Sequence, residues 1–321
     1  GEYQLENMIF KLQGVKLFLG LCFCIVICLD ISGCNKSDSV PDASNLDNSI
    51  SMQNNIDNTT NTTLSTNKKN NSWGDLHLNP SESAYIYMNG ESDTIQSHRV
   101  RAASMIKVYI LSYLFEKIDK GEISLQDVYV LKPSDKVGGS GVLNGYESGS
   151  VLSIDTIARL MITESDNTAT NILIDKLGLE NINSYIAIQG YKDTQLNRKM
   201  MDLNAIDKGI ENYTSAQDLG NWFLKLVKGK MASDLSNKQM IDYLLGQTDT
   251  ECISAALPNR IIAHKTGELA GVYHDGGIIY NANRNDYYIL VLLSDGYDSR
   301  TGTIESFRSI ARQVDNKVNW K

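Results

Sequence analysis

Three short groups of residues in this 321-residue chain have types and spacings that could carry out a reaction. In Ser104-Met105-Ile106-Lys107, positions i and i+3 share one face of a helix, which sets a primary amine beside a hydroxyl. Serine is a weak nucleophile until a neighbour takes its proton. A lysine desolvated among apolar residues can do so, because burial disfavours its charged form. The N-terminus of a helix also favours developing negative charge. Ser165-Asp166-Asn167 offers a hydroxyl to relay a proton, a carboxylate to fix a turn and an amide to bind substrate. Taken alone, it also reads as an ordinary helix N-cap. Lys265-Thr266-Gly267, at the end of a strand, offers positive charge and a hydroxyl to a substrate carboxylate. Gly267 permits close backbone approach, and a strand edge can align an extended substrate. A plain strand end has the same composition.

The elements that must position these groups follow from pattern. Residues 84–88 and 94–98 read as a strand pair turning at Asn89-Gly90. A long helical region follows, from residue 104 to about residue 223. Within it, residues 104–118 are apolar nearly all round, as in a helix buried in a core. Ser153 caps a helix reaching residue 162, residues 167–177 form another that Gly178 stops, and residues 217–227 form a third. Strands return at 260–264, 277–280 and 287–293, with turns at Gly276-Gly277 and over 281–286, and a helix over 304–314 comes last. This order predicts an α+β fold. The first and last segments share one antiparallel sheet, an all-α lobe is inserted between them, and a cleft separates the two.

Bulk composition excludes more than it assigns. A net charge of -8 argues against a nucleic-acid partner, whose backbone needs a basic face. Gly 24 with Pro 4 excludes collagen-like and Pro-rich classes. All but one of the cysteines lie in residues 1–34, so Cys252 has no intrachain disulfide partner in the remainder and reads as a small buried hydrophobe. His77, His98, His264 and His274 show no ligand spacing, and neither metal nor cofactor is expected. Alternation along a strand puts His264 on the opposite face from Lys265.

Near the start, Lys11 and Lys16 precede an apolar run over residues 17–29 and then Ile31-Ser32-Gly33-Cys34, the layout of a secretory signal. As a helix the run spans about 20 Å, short of a bilayer core of about 30 Å. Its end resembles the bacterial lipobox, which implies cleavage before Cys34, a lipid on the Cys34 thiol, and location outside the cytoplasm on the cell membrane. Residues 35–72, rich in Asn, Ser, Thr and Asp, bury too little apolar surface to offset chain entropy and read as a disordered tether. Residues 73–321 read as one domain, expected to be a monomer.

Together the three groups resemble the S-x-x-K, S-D-N and K-T-G elements of class A β-lactamases and penicillin-binding proteins, in order, spacing and setting. The resemblance covers essentially all of residues 73–321 and includes Gly139-Ser140-Gly141-Val142-Leu143 and Leu257-Pro258. It implies that Ser104 is the acylated nucleophile, Lys107 its proton acceptor, and Ser165 the donor to the leaving nitrogen. It further implies that Asn167 binds a substrate amide and that Lys265 and Thr266, beside Gly267, hold a carboxylate. The backbone N–H groups of Ser104 and Glu268 would form the oxyanion hole. The implied substrate is a β-lactam or a peptidoglycan-derived small molecule.

One position breaks the pattern. The family's loop Glu-x-x-Leu-Asn carries the base that releases the acyl-enzyme. Here the stretch is Met200-Met201-Asp202-Leu203-Asn204, with Met200 in the Glu position, and a thioether cannot take a proton from water. Asp202 would point the same way as Met200 in an extended loop, and Glu268 would lie at the cleft edge. The expectation is a membrane-anchored serine hydrolase, acylated at Ser104 and slow to deacylate. A D,D-peptidase and a non-catalytic binder of peptidoglycan stem peptides are the alternatives.

Overall fold

The computed structural model describes residues 73–320. The signal-like segment, Cys34 and the tether over 35–72 lie outside the described residues.

Five strands form one antiparallel sheet: β1 (Glu82–Met88), β2 (Glu91–Ile95), β7 (Ile261–Leu269), β8 (Val272–Tyr280) and β9 (Tyr287–Asp295), in the order β2-β1-β9-β8-β7. Early and late segments therefore share a sheet, as the sequence predicts. The first hairpin turns at Asn89 and Gly90, with φ of 55° and 89°, the double left-handed turn that Asn-Gly favours. It closes tightly enough that β2 begins at Glu91 rather than at residue 94.

The late strands are longer than expected. Gly276 and Gly277 lie inside β8, opposite Lys265 and His264, and the chain turns instead at Ala270-Gly271. Close packing, not a turn, requires this glycine: a Cβ on Gly277 would sit 2.2 Å from the Ala263 carbonyl oxygen. Lys265-Thr266-Gly267 is accordingly interior to β7, an edge strand, and not at a strand end.

Between the sheet's early and late strands lie α1 (Lys107–Asp119), α2 (Ile154–Thr163), α3 (Asn167–Leu177), α4 (Leu179–Ile188), α5 (Leu203–Asp207), α6 (Ala216–Val227) and α7 (Asp234–Leu245). The short strands β4 (Val128–Val130), paired with β5 (Val151–Ser153), and β6 (Tyr213–Thr214), paired with β3 (Val100–Arg101), interrupt the stretch that the sequence suggested was continuously helical. Ser153 caps α2 by accepting from Thr156 N–H, and Gly178 ends α3 with φ 84°. Two short or late helices follow: α8 (Ile253–Ala256) before β7, and α9 (Arg300–Asp315) after β9.

Two apolar cores stabilise these layers. One packs α1 and its neighbouring helices against Ala263, Ile278 and Val291 on one sheet face. The other packs α8 and α9 against Ile262, Ile279 and Leu292 on the opposite face. In α1 every residue from Lys107 to Phe115 is buried, which explains its apolar sequence. Cys252 is a free, buried thiol in the second core, and burial pushes its pKa up. Trp222 fills the first core and donates from its indole N–H to Ser112 Oγ at 3.0 Å.

Candidate active site

Ser104 lies in a 3₁₀ turn, Ala103–Ile106, that leads directly into α1. Ala103 holds a left-handed φ of 46°, a conformation that costs a residue with a Cβ of order 1 kcal/mol. Ser104 keeps partial solvent exposure while Met105, Ile106 and Lys107 are buried. β7 presses against this turn: a Cβ on Gly267 would lie 3.1 Å from Ser104 N and 3.2 Å from Ala103 Cβ.

Lys107 is fully buried, yet its Nζ is surrounded by acceptors. It donates to Ser165 O at 2.5 Å, to Asn167 Oδ1 at 2.9 Å and to Ser165 Oγ at 3.1 Å. From the sheet side, Lys265 Nζ donates to the same Ser165 Oγ at 3.0 Å and to Thr266 O at 2.8 Å. One hydroxyl thus bridges two buried amines. Desolvation, reinforced by the charge of Lys265 and opposed by Asp166, holds Lys107 well below the ordinary lysine pKa. Desolvation also lowers Lys265 to about 7, with Asp249 and Asp275 opposing.

Ser165 sits at φ 52°, a second left-handed residue at the site. Asp166 holds this turn: it caps α3 by accepting from Ala169 N–H at 2.8 Å, and accepts from Val142 N–H and Leu143 N–H at 2.6 and 2.8 Å. The stretch 139–143 is thereby fastened to the start of α3. Asn167 Nδ2 donates to Gly138 O at 3.1 Å.

Ser104 and Asn167 border a cleft of about 150 Å³, lined also by Ser140, Met200, Met201 and Glu268. Met200 is on the cleft wall, 7% exposed. Its backbone is gripped twice by one side chain: Asn171 Oδ1 accepts from Met200 N–H at 2.8 Å, and Asn171 Nδ2 donates to Met200 O at 2.9 Å. Asp202 does not share the cleft. Met201, at φ 58°, reverses the chain, and Asp202 caps α5 by accepting from Ala205 N–H at 3.1 Å. The loop is not extended here, and Asp202 serves as a helix cap, not as a substitute base in the cleft. The Glu268 carboxylate is held by Arg300 at 2.7 Å. Thr266 lies on the opposite sheet face from Lys265, by the alternation of β7.

Sequence reasoning missed two residues. Asn171 carries no motif, and its significance appears only with its partner Met200. Glu211 also borders the cleft, with its carboxylate tied to Arg198 at 2.6 Å. Among the described residues no cluster of three or more His, Cys, Asp or Glu is placed to hold a metal ion.

A family model described as the β-lactamase enzyme family matches residues 58–318. The chain belongs to the β-lactamase enzyme family. β-Lactamase BRO-1 of Moraxella catarrhalis is 28% identical over 222 residues, covering 66% of this chain and 70% of that protein. A β-lactamase from Sphaerobacter thermophilus has 30% identity and a TM-score of 0.68, over 74% of this chain and 93% of that one. PBP-A has 28% identity and a TM-score of 0.67, over 75% of this chain and 91% of its own. The protein is accordingly a serine β-lactamase-like hydrolase, with the α+β fold of class A β-lactamases and penicillin-binding proteins.

Proposed function

We propose that the protein opens β-lactam rings by acylation of Ser104 and releases the acyl group slowly. The observation that carries this reading is the buried Lys107–Ser165–Lys265 chain of contacts beside Ser104, closed on its loop side by Met200 instead of a carboxylate. Ser104 Oγ adds to the lactam carbonyl carbon while its proton passes to Lys107, directly or through a water. Ser165 delivers a proton to the lactam nitrogen as the C–N bond breaks, leaving an ester on Ser104. The backbone N–H groups of Ser104 and Glu268 stabilise the oxyanion, a contribution typically of about 2.7–4 kcal/mol per donor. Asn167 binds the substrate's side-chain amide, and Lys265 binds its carboxylate. A mutant of PBP-A, 29% identical, is known as an acyl-enzyme complex with penicillin G, which supports a β-lactam as the acylating group.

Deacylation needs a base for water, and Met200 has none to offer. General-base help is worth about 10²–10⁴-fold. Mixing the protein with penicillin G is expected to give a stoichiometric adduct on Ser104 by mass spectrometry, followed by slow release. Met200→Glu should speed that release by at least about tenfold. An adduct that still forms in Ser104→Ala would overturn the nucleophile assignment. Rapid steady turnover of a chromogenic cephalosporin by the unaltered protein would overturn the role given to Met200. The similarity to PBP-A supports a second reading, a D,D-peptidase acting on peptidoglycan stem peptides, which release of D-alanine from such a peptide would establish. We further propose a lipid anchor at Cys34 that places a monomeric domain outside the cytoplasm.

A further inference from the structure

On the face of β7 opposite Lys265 lies a second buried polar array that the reaction above does not use. His264 is 2% exposed, and Asp275 on β8 is fully buried. His264 Nδ1 is 2.8 Å from Asp275 Oδ1, and His264 Nε2 is 3.2 Å from Ser254 Oγ. A carboxylate only accepts, so the hydrogen of this pair is on Nδ1. In the neutral imidazole, Nε2 then presents its lone pair to the Ser254 hydroxyl. Serine, imidazole and carboxylate in this relation make up the acyl-transfer triad, which is recognised by geometry and roles, not by sequence position.

The array is fixed from behind and open in front. Asp275 Oδ2 accepts from Ile253 N–H at 2.9 Å, so the carboxylate that orients the imidazole also holds the residue preceding the hydroxyl. Ser254 keeps partial exposure and shares with His264 a pocket of about 360 Å³. Leu257, Pro258 and Ile262 line that pocket together with the uncharged polar side chains of Gln247 and Thr250. Its cation, Arg260, is engaged by Asp315 through two hydrogen bonds of 2.9 and 3.0 Å, which leaves little net charge to attract an anion. Such a mixed, largely uncharged lining suits a short, neutral acyl group.

We propose that Ser254, His264 and Asp275 form a second acyl-transfer site, distinct from Ser104, that acts on small neutral carboxylic esters. Ser254 Oγ adds to the ester carbonyl carbon as its proton moves to His264 Nε2. The bond from that carbon to the alcohol oxygen breaks, and His264 returns the proton to the departing alkoxide. Water then adds to acyl-Ser254 with its proton taken by His264. The carboxylic acid leaves, and Ser254 regains its hydrogen. Asp275 is a positioning residue that keeps the imidazole in the required tautomer.

The test removes the first site. Ser104→Ala protein is treated with a fluorophosphonate and, separately, with p-nitrophenyl butyrate. The expected result is a phosphonyl adduct on Ser254 and p-nitrophenolate release that both disappear in Ser104→Ala/Ser254→Ala. His264→Gln in the same background should slow labelling about 10²-fold, the usual scale of general-base help. Because replacing a buried histidine can unfold a protein, the Ser254→Ala single variant gives an independent check. It should still take up penicillin G on Ser104 while failing to take a phosphonyl group at residue 254. No adduct on Ser254 in folded Ser104→Ala protein would overturn the proposal. So would ester hydrolysis that is unchanged by Ser254→Ala in that background, or labelling at an unchanged rate in folded His264→Gln.

Discussion

Lys107 and Lys265, both fully buried, donate to Ser165 Oγ at 3.1 and 3.0 Å. Two buried ammonium groups in such proximity repel, and this adds to desolvation in holding Lys107 well below the ordinary lysine range. A lowered pKa suits Lys107 to exchange a proton with Ser104, whereas Lys265 must be charged to hold a substrate carboxylate. The sign of the pH dependence follows. Lys265, lowered to about 7, loses its proton as pH rises through that value. The second-order rate of acylation by penicillin G is therefore expected to fall above about pH 7, approaching tenfold per pH unit. Lys265→Arg, whose guanidinium stays charged, should keep the profile flat to higher pH. Stopped-flow acylation rates measure both, and a flat profile to pH 9 in the unaltered protein would show that Lys265 is not the titrating contact. At this scale the sequence was informative wherever chemistry demands residue types at short spacing. Ser104 with Lys107, and Lys265 with its neighbours, could be found without coordinates. Asn171, Glu211 and Ser254 could not, because each acquires its meaning from a partner brought close by folding.

The elements transmit small local bonds into the geometry of the cleft. Asp166 is the clearest case, since one buried carboxylate accepts from Ala169, Val142 and Leu143 N–H groups. Removing it leaves three backbone donors without their acceptor, at about 1–3 kcal/mol for each that stays buried. In a domain of this size each kcal/mol moves the melting temperature by about 2–4 °C. Asp166→Ala is thus expected to lower the melting temperature by at least about 6 °C, the low end for three donors. It should also slow acylation, since Ser165 and Asn167 flank the lost group. Calorimetry and the penicillin adduct rate test the two effects separately. Helices were legible from their caps, and α3 begins and ends where Asp166 and Gly178 place it. Strand ends were less so. Gly276-Gly277 has the composition of a turn, but its glycines answer to the proximity of β7 and β9, which no local pattern records.

At the scale of the whole molecule, β1 pairs with β9, so that Ser83 faces Leu293 across most of the domain's length in sequence. The helical lobe is an insertion within that sheet, and the cleft lies where the turn before α1 meets β7. This topology follows from the order of predicted elements, because strands at both ends with helices between can bury their faces in few ways. The proposed tether belongs to this scale too. With a lipid on Cys34, the domain would sediment with membranes. Cys34→Ser expressed in the same cells is expected to shift it to the soluble fraction with its penicillin acylation unchanged. Immunoblotting of the two fractions checks the distribution, and a wild-type protein found mainly in the soluble fraction would refute the anchor.

The paired bonds from Asn171 reach only the backbone of residue 200. They ask nothing of its side chain, so the loop is a socket that accepts different inserts without being rebuilt. On the proposed reading, the difference between a protein that traps an antibiotic and one that destroys it is then a question of mutational access. No single-nucleotide change turns the methionine codon into a glutamate codon. The intermediates encode lysine, which adds a cation to a cleft already holding two amines, or valine, which keeps the wall apolar. The valine route is the one a population could follow without losing the fold, and selection by β-lactams would meet its barrier in the genetic code, not in the structure.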